Sequence, residues 1–304
     1  MLKISEDKKE TAAELVETKP VLKMDKNYNF RAPEGPNHII IVGCGGTGSY
    51  VIPSIARLLY TLRPREVRLT LIDADVVEEK NIIRQNFSPG DVGKNKAEAL
   101  AARYSGAFGL NIATRDKYLE TEEDIQDLFN SAPGGVLVIS CVDNIRTRLS
   151  ISNAVARSRT DKTVYWIDTG NEEESGQVVL AANIKNNLLA GTIRPIAQGE
   201  AFNLPDIFDI YPELKERAKL AKFTSQLSCA EMAESAPQYG FVNHNAANFA
   251  LNFAFDVIKQ NPIKVNVVEF SIKNKVAHKS LARSEMLKWQ GLRGYTRNMA
   301  SFLS

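Results

Sequence analysis

The stretch HIIIVGCGGTGSYVIPSIARLL, His38 to Leu59, constrains the fold more than any other part of the chain. A run of β-branched residues, Ile39 to Val42, leads into glycines at Gly43, Gly45, Gly46 and Gly48, and a helical pattern follows. Strand, glycine turn and helix in this order open a nucleotide-binding α/β unit. Glycine lets the backbone approach a phosphate, and the helix N-terminus presents N–H groups to an anion. The turn suits NAD and ATP equally. It sets the architecture and leaves the chemistry open.

The rest of the chain keeps the same rhythm. VRLTLID runs from Val67 to Asp73, a helix is expected from about Gly93 to Gly106, and a short strand near Leu110 to Thr114. An acidic-capped helix from Thr121, the strand VLVISCV (Val136 to Val142) and a helix from about Asn144 to Arg157 follow. TVYWID, Thr163 to Asp168, is a buried strand, and GQVVLAA, Gly176 to Ala182, lies close enough in sequence to pair with it. This alternation predicts an α/β fold: a Rossmann-like, doubly wound, mainly parallel sheet with helices on both faces. Ile184 to Ser228 breaks the pattern with NLPDIFDIYPEL and a lysine-rich segment, and reads as a crossover or lid. FVNHNAANFALNFAFDVI (Phe241 to Ile258) reads as a buried helix and VNVVEFSI (Val265 to Ile272) as a late strand. The expected organisation is an N-terminal extension over 1–36, a nucleotide-binding domain over 37–273 with its crossover at 184–228, and a tail over 274–304.

Charge and composition remove several function classes. A net charge of +2 gives no basic face for nucleic acid. No apolar run approaches the roughly 20 residues of a membrane span. The N-terminus, MLKISEDKKETAAELVETKP, lacks the apolar core of a signal peptide, so a cytoplasmic location is expected. The three cysteines, Cys44, Cys141 and Cys229, form no CxxC pair, which argues against a disulfide framework or a four-thiolate zinc site. Histidine is equally sparse, without metal-ligand spacing. The chemistry therefore falls to carboxylates, Arg/Lys and a nucleotide.

Asp73 ends the second strand, where a carboxylate binds ribose hydroxyls, and Asp75 is its rival for that role. The segment DADVVEEKNIIRQNFSPGDVGKNKAEAL then brings Asn81, Arg84 and Lys96 into one loop and helix start. Attack on an α-phosphate with release of pyrophosphate builds charge on the leaving group, and arginine and lysine clamps answer that need. Asp143 in CVDN stands at the carboxyl end of a strand, where open α/β sheets place ligand groups. It is a candidate Mg²⁺ ligand for a triphosphate, or a cap for the helix starting at Ile145. Cys44 and Cys141 read as packing residues. Asn243, His244, Asn245 and Asn248 on the apolar helix read as structural, with a role lining a carboxylate tunnel as the alternative. Trp166 and Asp168 end a strand on the ligand side, with no role assigned.

GCGGTGS, LIDADVVEEKNIIRQNF, GKNKAEAL and CVDN, in that order, resemble the ThiF family of ubiquitin-activating-type adenylyltransferases. The resemblance runs from about Asn37 to Ile258. WIDTGN with GQVVL, LPDIFDIYPEL, SCAEMAESAPQ and FVN are most similar to one branch, the ThiF-family protein of PRTRC systems. The resemblance implies MgATP-dependent adenylation of the C-terminal carboxylate of a ubiquitin-like protein ending in glycine, by a homodimer. It implies that Gly43, Gly45, Gly46 and Gly48 cradle the nucleotide and Asp73 binds ribose. Asn81, Arg84 and Lys96 contact the phosphates, with Arg84 and Lys96 steadying the transition state, and Asp143 serves Mg²⁺. Two features of many relatives are missing. The paired CxxC motifs that bind zinc are absent, so no zinc is expected. The N-terminal RYxRQ-like motif is also absent; Arg31 is the nearest candidate for its arginine.

Cys229 in LSCAEMAE falls where some relatives place a cysteine that receives the activated acyl group as a thioester. Lys222, Thr224 and Ser225 supply a polar approach; a small buried residue at a helix start is the alternative. Other readings are an NAD-dependent oxidoreductase on the same turn, a non-catalytic nucleotide-binding scaffold, and activation of a small-molecule or tRNA-borne carboxylate. The oxidoreductase has no evident catalytic His or Tyr-xxx-Lys pair and leaves Arg84, Lys96 and Asp143 unused.

Overall fold

The computed structural model describes residues 30–32, 34–63, 67–158, 162–183, 204–223, 225 and 240–280. Strand β1 (Phe30–Arg31) pairs antiparallel with β8 (Pro262–Ile263), outside the main sheet. The main sheet begins with β2 (His38–Val42), followed by helix α1 (Gly48–Leu62), β3 (Arg68–Ile72) and a short α2 (Glu79–Ile82). Next come α3 (Lys96–Phe108), β4 (Ile112–Arg115), α4 (Glu122–Asn130), β5 (Val136–Ser140) and α5 (Ile145–Arg157). Strands β6 (Val164–Asn171) and β7 (Ser175–Asn183) lead to α6 (Ile207–Ile210) and α7 (Glu213–Leu220). Helix α8 (Gly240–Lys259), β9 (Val267–Ser271) and β10 (Val276–Ser280) complete the described chain.

The sheet order is β10-β9-β7-β6-β5-β2-β3-β4. Strands β4, β3, β2, β5 and β6 are parallel, and β7, β9 and β10 continue the sheet antiparallel. The expected Rossmann-like arrangement is therefore present. The central strands are apolar on both faces because helices cover both. Ile39 and Ile41 point into the core shared with α1, α3 and α8, while Ile40 and Val42 point into the core shared with α4, α5, α6 and α7. Chain order reverses between β2 and β5, so a switch point opens at their carboxyl ends, where such sheets bind ligands.

Local chemistry sets the boundaries. Asn95, Thr121 and Asn144 cap α3, α4 and α5 by accepting backbone N–H bonds. Helix α3 therefore starts at Lys96, three residues beyond the expected Gly93. The described part of the 184–228 crossover is packed. Leu204 bridges to Ala182, and Ile207, Phe208 and Ala218 are buried in the core on the α5 face. Strand β10 forms a hairpin with β9, so the sheet continues past residue 273.

Two buried ionic features follow. Asp168, which ends on the ligand side of β6, is fully enclosed and bound by both Nε and Nη2 of Arg148 from α5. Ser140 Oγ donates to the same carboxylate at 2.8 Å and accepts from the Trp166 indole at 2.8 Å. Asp168 and Trp166 thus tie β5, β6 and α5 together. Asp206 caps α6, accepting from Phe208 N at 2.8 Å and Asp209 N at 3.0 Å, and receives the Ser152 hydroxyl. Burial, then the charge of Asp209, pushes its carboxyl up to about 6.

Removing one partner of the Arg148–Asp168 pair leaves a buried charge unmatched. Asp168→Ala should lower unfolding free energy in urea by about 3–5 kcal/mol, and Arg148→Met with Asp168→Leu should restore most of it. For Asp206 the folded-state value lies above that of an unfolded aspartate. Its contribution to stability is full below about pH 4 and is lost as pH rises through about 6. Asp206→Asn keeps the cap, and the urea midpoint should lose its decline between about pH 4 and 6. An unchanged slope would contradict this assignment.

Candidate functional site

The glycine turn sits at the switch point, and its glycines are required by contact. Gly43 has φ +86° and donates its N–H to Ile72 O at 2.9 Å; a side chain there would meet the Cys141 carbonyl at 2.8 Å. A Cβ at Gly48 would overlap the Gly43 carbonyl, so α1 begins against the turn only because residue 48 has none. Gly45 faces the Gln85 carboxamide, and Gly46 faces that of Asn243 on α8. No side chain caps α1; Ser49 N and Tyr50 N bond the carbonyls of Gly45 and Thr47, which leaves the Gly48 N–H at the helix start for an anion.

Both expected acids stand beside the turn, in different states. Asp73 accepts from Cys44 N at 2.6 Å and from Asp75 N at 2.8 Å, so it clamps the turn to the end of β3. Burial pushes the Asp73 carboxyl up, and the Lys96 charge opposes that rise. Asp75 pairs with Lys96 Nζ at 2.7 Å and accepts from the Tyr118 hydroxyl at 2.7 Å. Burial works against its charge, but the Lys96 ammonium and the Tyr118 hydrogen bond outweigh it and hold the carboxyl low. Lys96, itself nearly buried, thus points at the Asp73–Asp75 corner.

The other predicted residues lie on the short α2, just past it, and after β5. Asn81 is buried on α2, where its Oδ1 accepts from Glu78 N at 2.9 Å and caps the short helix. Arg84 follows with its carbonyl bonded by the Tyr50 hydroxyl at 3.3 Å; among the described residues its guanidinium forms no hydrogen bond or salt bridge. Asp143 is exposed at the carboxyl end of β5 and is also unpaired among the described residues. Asn144, not Asp143, caps α5, with its Oδ1 accepting from Arg146 N and Thr147 N. The capping alternative for Asp143 is thereby removed, and its carboxylate stays open. No cluster of three or more metal-ligating side chains occurs among the described residues.

The chain after α7 passes this edge. Asn144 Nδ2 donates to Lys222 O at 2.8 Å, Arg146 binds the carbonyls of Lys219 and Ala221, and its guanidinium lies 4.6 Å over the Phe223 ring. Beyond it, Ser225 bonds Glu120 through its N–H at 3.0 Å and its hydroxyl at 2.6 Å. Thr224 and Cys229 lie outside the described residues, as does the Arg31 side chain. Cys44 and Cys141 pack around the turn, and burial pushes both thiols up, Cys141 to about 12.

A polar cluster at the turn joins Asn243, which the sequence marked as structural, to Thr47 and Asn171, which it did not mark. Asn243 is fully buried, and its Oδ1 accepts from Thr47 Oγ1 at 3.1 Å and from Asn171 Nδ2 at 2.9 Å. Its neighbour His244 is exposed and packs against Tyr50, with ring centroids 3.6 Å apart and planes tilted by 42°. Asn243 thus bonds to α1 and β6 rather than to the other asparagines of its helix. The only sequence signal was a polar run on a helix otherwise expected to be apolar.

The sequence matches the model of the ThiF family over residues 36–258. "Ubiquitin-like modifier-activating enzyme 5" of Bombyx mori is 29% identical over 173 residues, 54% of this chain and 38% of that protein. The protein of the same name from Drosophila melanogaster is 26% identical over 228 residues, 71% of this chain and 50% of its own length. This chain therefore spans half or less of each of these relatives. Among solved structures, E. coli MccB with ATP has the same fold, with a TM-score of 0.52 and 17% identity. That likeness covers 80% of this chain and 63% of MccB.

The turn's geometry ranks substitutions. Gly48→Ala should lower the unfolding free energy in urea by about 2 kcal/mol or more, because the added carbon meets backbone. Gly90→Ala, where a Cβ meets nothing closer than 4.0 Å, should change stability by under about 0.5 kcal/mol. Equal effects at the two positions would refute the close approach of turn and helix.

Proposed function

The chain belongs to the ThiF family, and from that premise we propose that it is an adenylyltransferase that activates a C-terminal carboxylate with ATP. The observation that carries this reading is the pair of unmatched charges beside the glycine turn. Among the described residues the Arg84 and Asp143 side chains have no partner, while Lys96 pairs with Asp75 just beyond β3. Neither the Arg84 nor the Asp143 charge is taken up by a described protein partner, so both are available to a triphosphate and its metal. The carboxylate oxygen attacks the α-phosphorus, the bond from that phosphorus to the β-bridging oxygen breaks, and pyrophosphate leaves as the acyl adenylate forms.

In this reading the turn and the start of α1 hold phosphate oxygens through N–H groups, and Asp73 orients the ribose. Asn81 contacts the phosphates, and Arg84 and Lys96 stabilise charge on the transferring and leaving groups. Asp143 fits a Mg²⁺ ion held by one carboxylate plus phosphate oxygens, and that ion would neutralise triphosphate charge. Catalysis is mostly positioning and electrostatics, since the reacting atoms belong to the two substrates.

The acyl substrate in this reading is a ubiquitin-like or peptide chain with a free C-terminus. The relatives named as ubiquitin-like modifier-activating enzymes support it, as does MccB, whose solved structures include a complex with N-formylated MccA. Cys229 would accept the acyl group in a second step: thiolate attacks the acyl carbon, the bond to AMP breaks, and a thioester forms. A homodimer and membership of the PRTRC branch complete the reading.

ATP–pyrophosphate exchange tests it, run with and without ubiquitin-like proteins encoded beside this gene. Exchange should depend on such a protein and fall by at least about 100-fold in Arg84→Ala and in Asp143→Ala, as loss of one preorganised electrostatic group does. Nicotinamide binding without any exchange would contradict the proposal.

A further inference from the structure

Two buried carboxamide atoms without hydrogen-bond partners flank the glycine turn. Asn243 Nδ2 is a donor with none, on a residue with no exposed surface, and Gln85 Oε1 is an acceptor with none, on a residue 5% exposed. They sit against adjacent residues of the turn: Gly46 lies against the Asn243 amide, where an added Cβ would be 3.1 Å from Nδ2, and Gly45 lies against the Gln85 amide, 3.7 Å from Oε1. Each such orphan costs about 1–3 kcal/mol, and native proteins carry few of them without a reason. Turning the Asn243 amide over does not help. Its nitrogen would then face Asn171 Nδ2, itself a donor, and its oxygen would become the orphan.

Hydrogen bonds hold the Asn243 amide, and the backbone before Gln85 is anchored. Asn243 is fixed by Thr47 and Asn171, so its Nδ2 direction is set by α1 and β6 together. Gln85 follows Arg84, whose carbonyl is held by Tyr50, and the Tyr50 ring packs against His244, one residue beyond Asn243. The start of α8 therefore braces both the Arg84–Gln85 segment and the turn. A fixed donor at Asn243 and a carboxamide oxygen at Gln85, a residue apart along the turn, match the carbonyl and N–H of a polypeptide main chain.

We propose that Asn243 and Gln85 bind the main chain of the acyl substrate's C-terminal tail beside the glycine turn, Nδ2 donating to a tail carbonyl or carboxylate oxygen and Oε1 accepting a tail N–H. This rests on the adenylation reading above. Both atoms are covered in the ligand-free protein, and the two glycines they face give the turn backbone the freedom to admit a chain. The pair reads no side chain, so it suits a tail of small residues, glycine above all. Arg84, Lys96 and Asp143 serve the nucleotide, and these two amides serve the other substrate.

Calorimetry on the full chain separates the two roles with a matched pair of probes. One is 5′-O-sulfamoyladenosine; the other carries glycylglycine on the sulfamate and mimics the adenylate's tail. The wild type should bind the dipeptide form more tightly. Asn243→Ala and Gln85→Leu should each weaken that form about tenfold, the loss of roughly one hydrogen bond to a charged or buried group, while changing sulfamoyladenosine by less than about twofold. A general structural defect would weaken both probes together, and that result overturns the inference, as does an unchanged dipeptide increment. The two variants sit on different elements, so either one alone decides the matter if the other does not fold. Wild type that binds the plain probe but gains nothing from the dipeptide overturns this inference alone. Wild type that binds neither probe overturns the adenylation reading with it.

Discussion

The Gly43 carbonyl resting against the α-carbon of Gly48 is the contact on which the site depends. It lets α1 start directly above the end of β2, at the point where chain order reverses between β2 and β5. From that one approach follow the uncapped helix N-terminus, the fit of Asn243 and Gln85 against Gly46 and Gly45, and the closeness of Cys141 and the Asp143 loop. Asp73 secures it from the other side through Cys44 N and Asp75 N. A side chain at residue 48 would separate the elements that bring these groups together.

Charge around the turn is divided unevenly, and the division carries the functional reading. Arg148 and Asp168 are fully paired beneath the site and hold β5, β6 and α5. Lys96 and Asp75 are paired at its rim, where Asp75 remains 43% exposed and open to exchange of partners. Arg84 and Asp143 have no partner among the described residues. The gradient runs from a structural ion pair in the interior to free charges at the ligand edge. Folding alone does not need the outer pair, whereas transfer to or from a phosphate does.

Much of this was legible in the sequence, because strands and helices announce themselves by local pattern. The HIIIV, RLTLI and VLVIS runs are buried on both faces, and that is why they read as central parallel strands. Asp73 and Asp143 are candidates by residue type at strand ends, and Arg84 and Lys96 by their place in one loop and helix start. What escaped detection depends on distant convergence. Thr47 and Asn243 bond across 196 positions and Asn171 and Asn243 across 72, with no periodicity to connect them. The packing of α6 and α7 was missed because Ile207, Phe208 and Ala218 are scattered in a polar stretch, and β10 because VAHKS carries little strand signal.

The central claim is that the α-phosphate, not the γ-phosphate, is the point of attack. Supplying ATP labelled at the α or at the γ position, with a ubiquitin-like carrier, tests it directly. The account predicts α-label on the carrier's C-terminus as an acyl adenylate and γ-label released in pyrophosphate. Transfer of γ-label to the carrier, with ADP as the product, would contradict it.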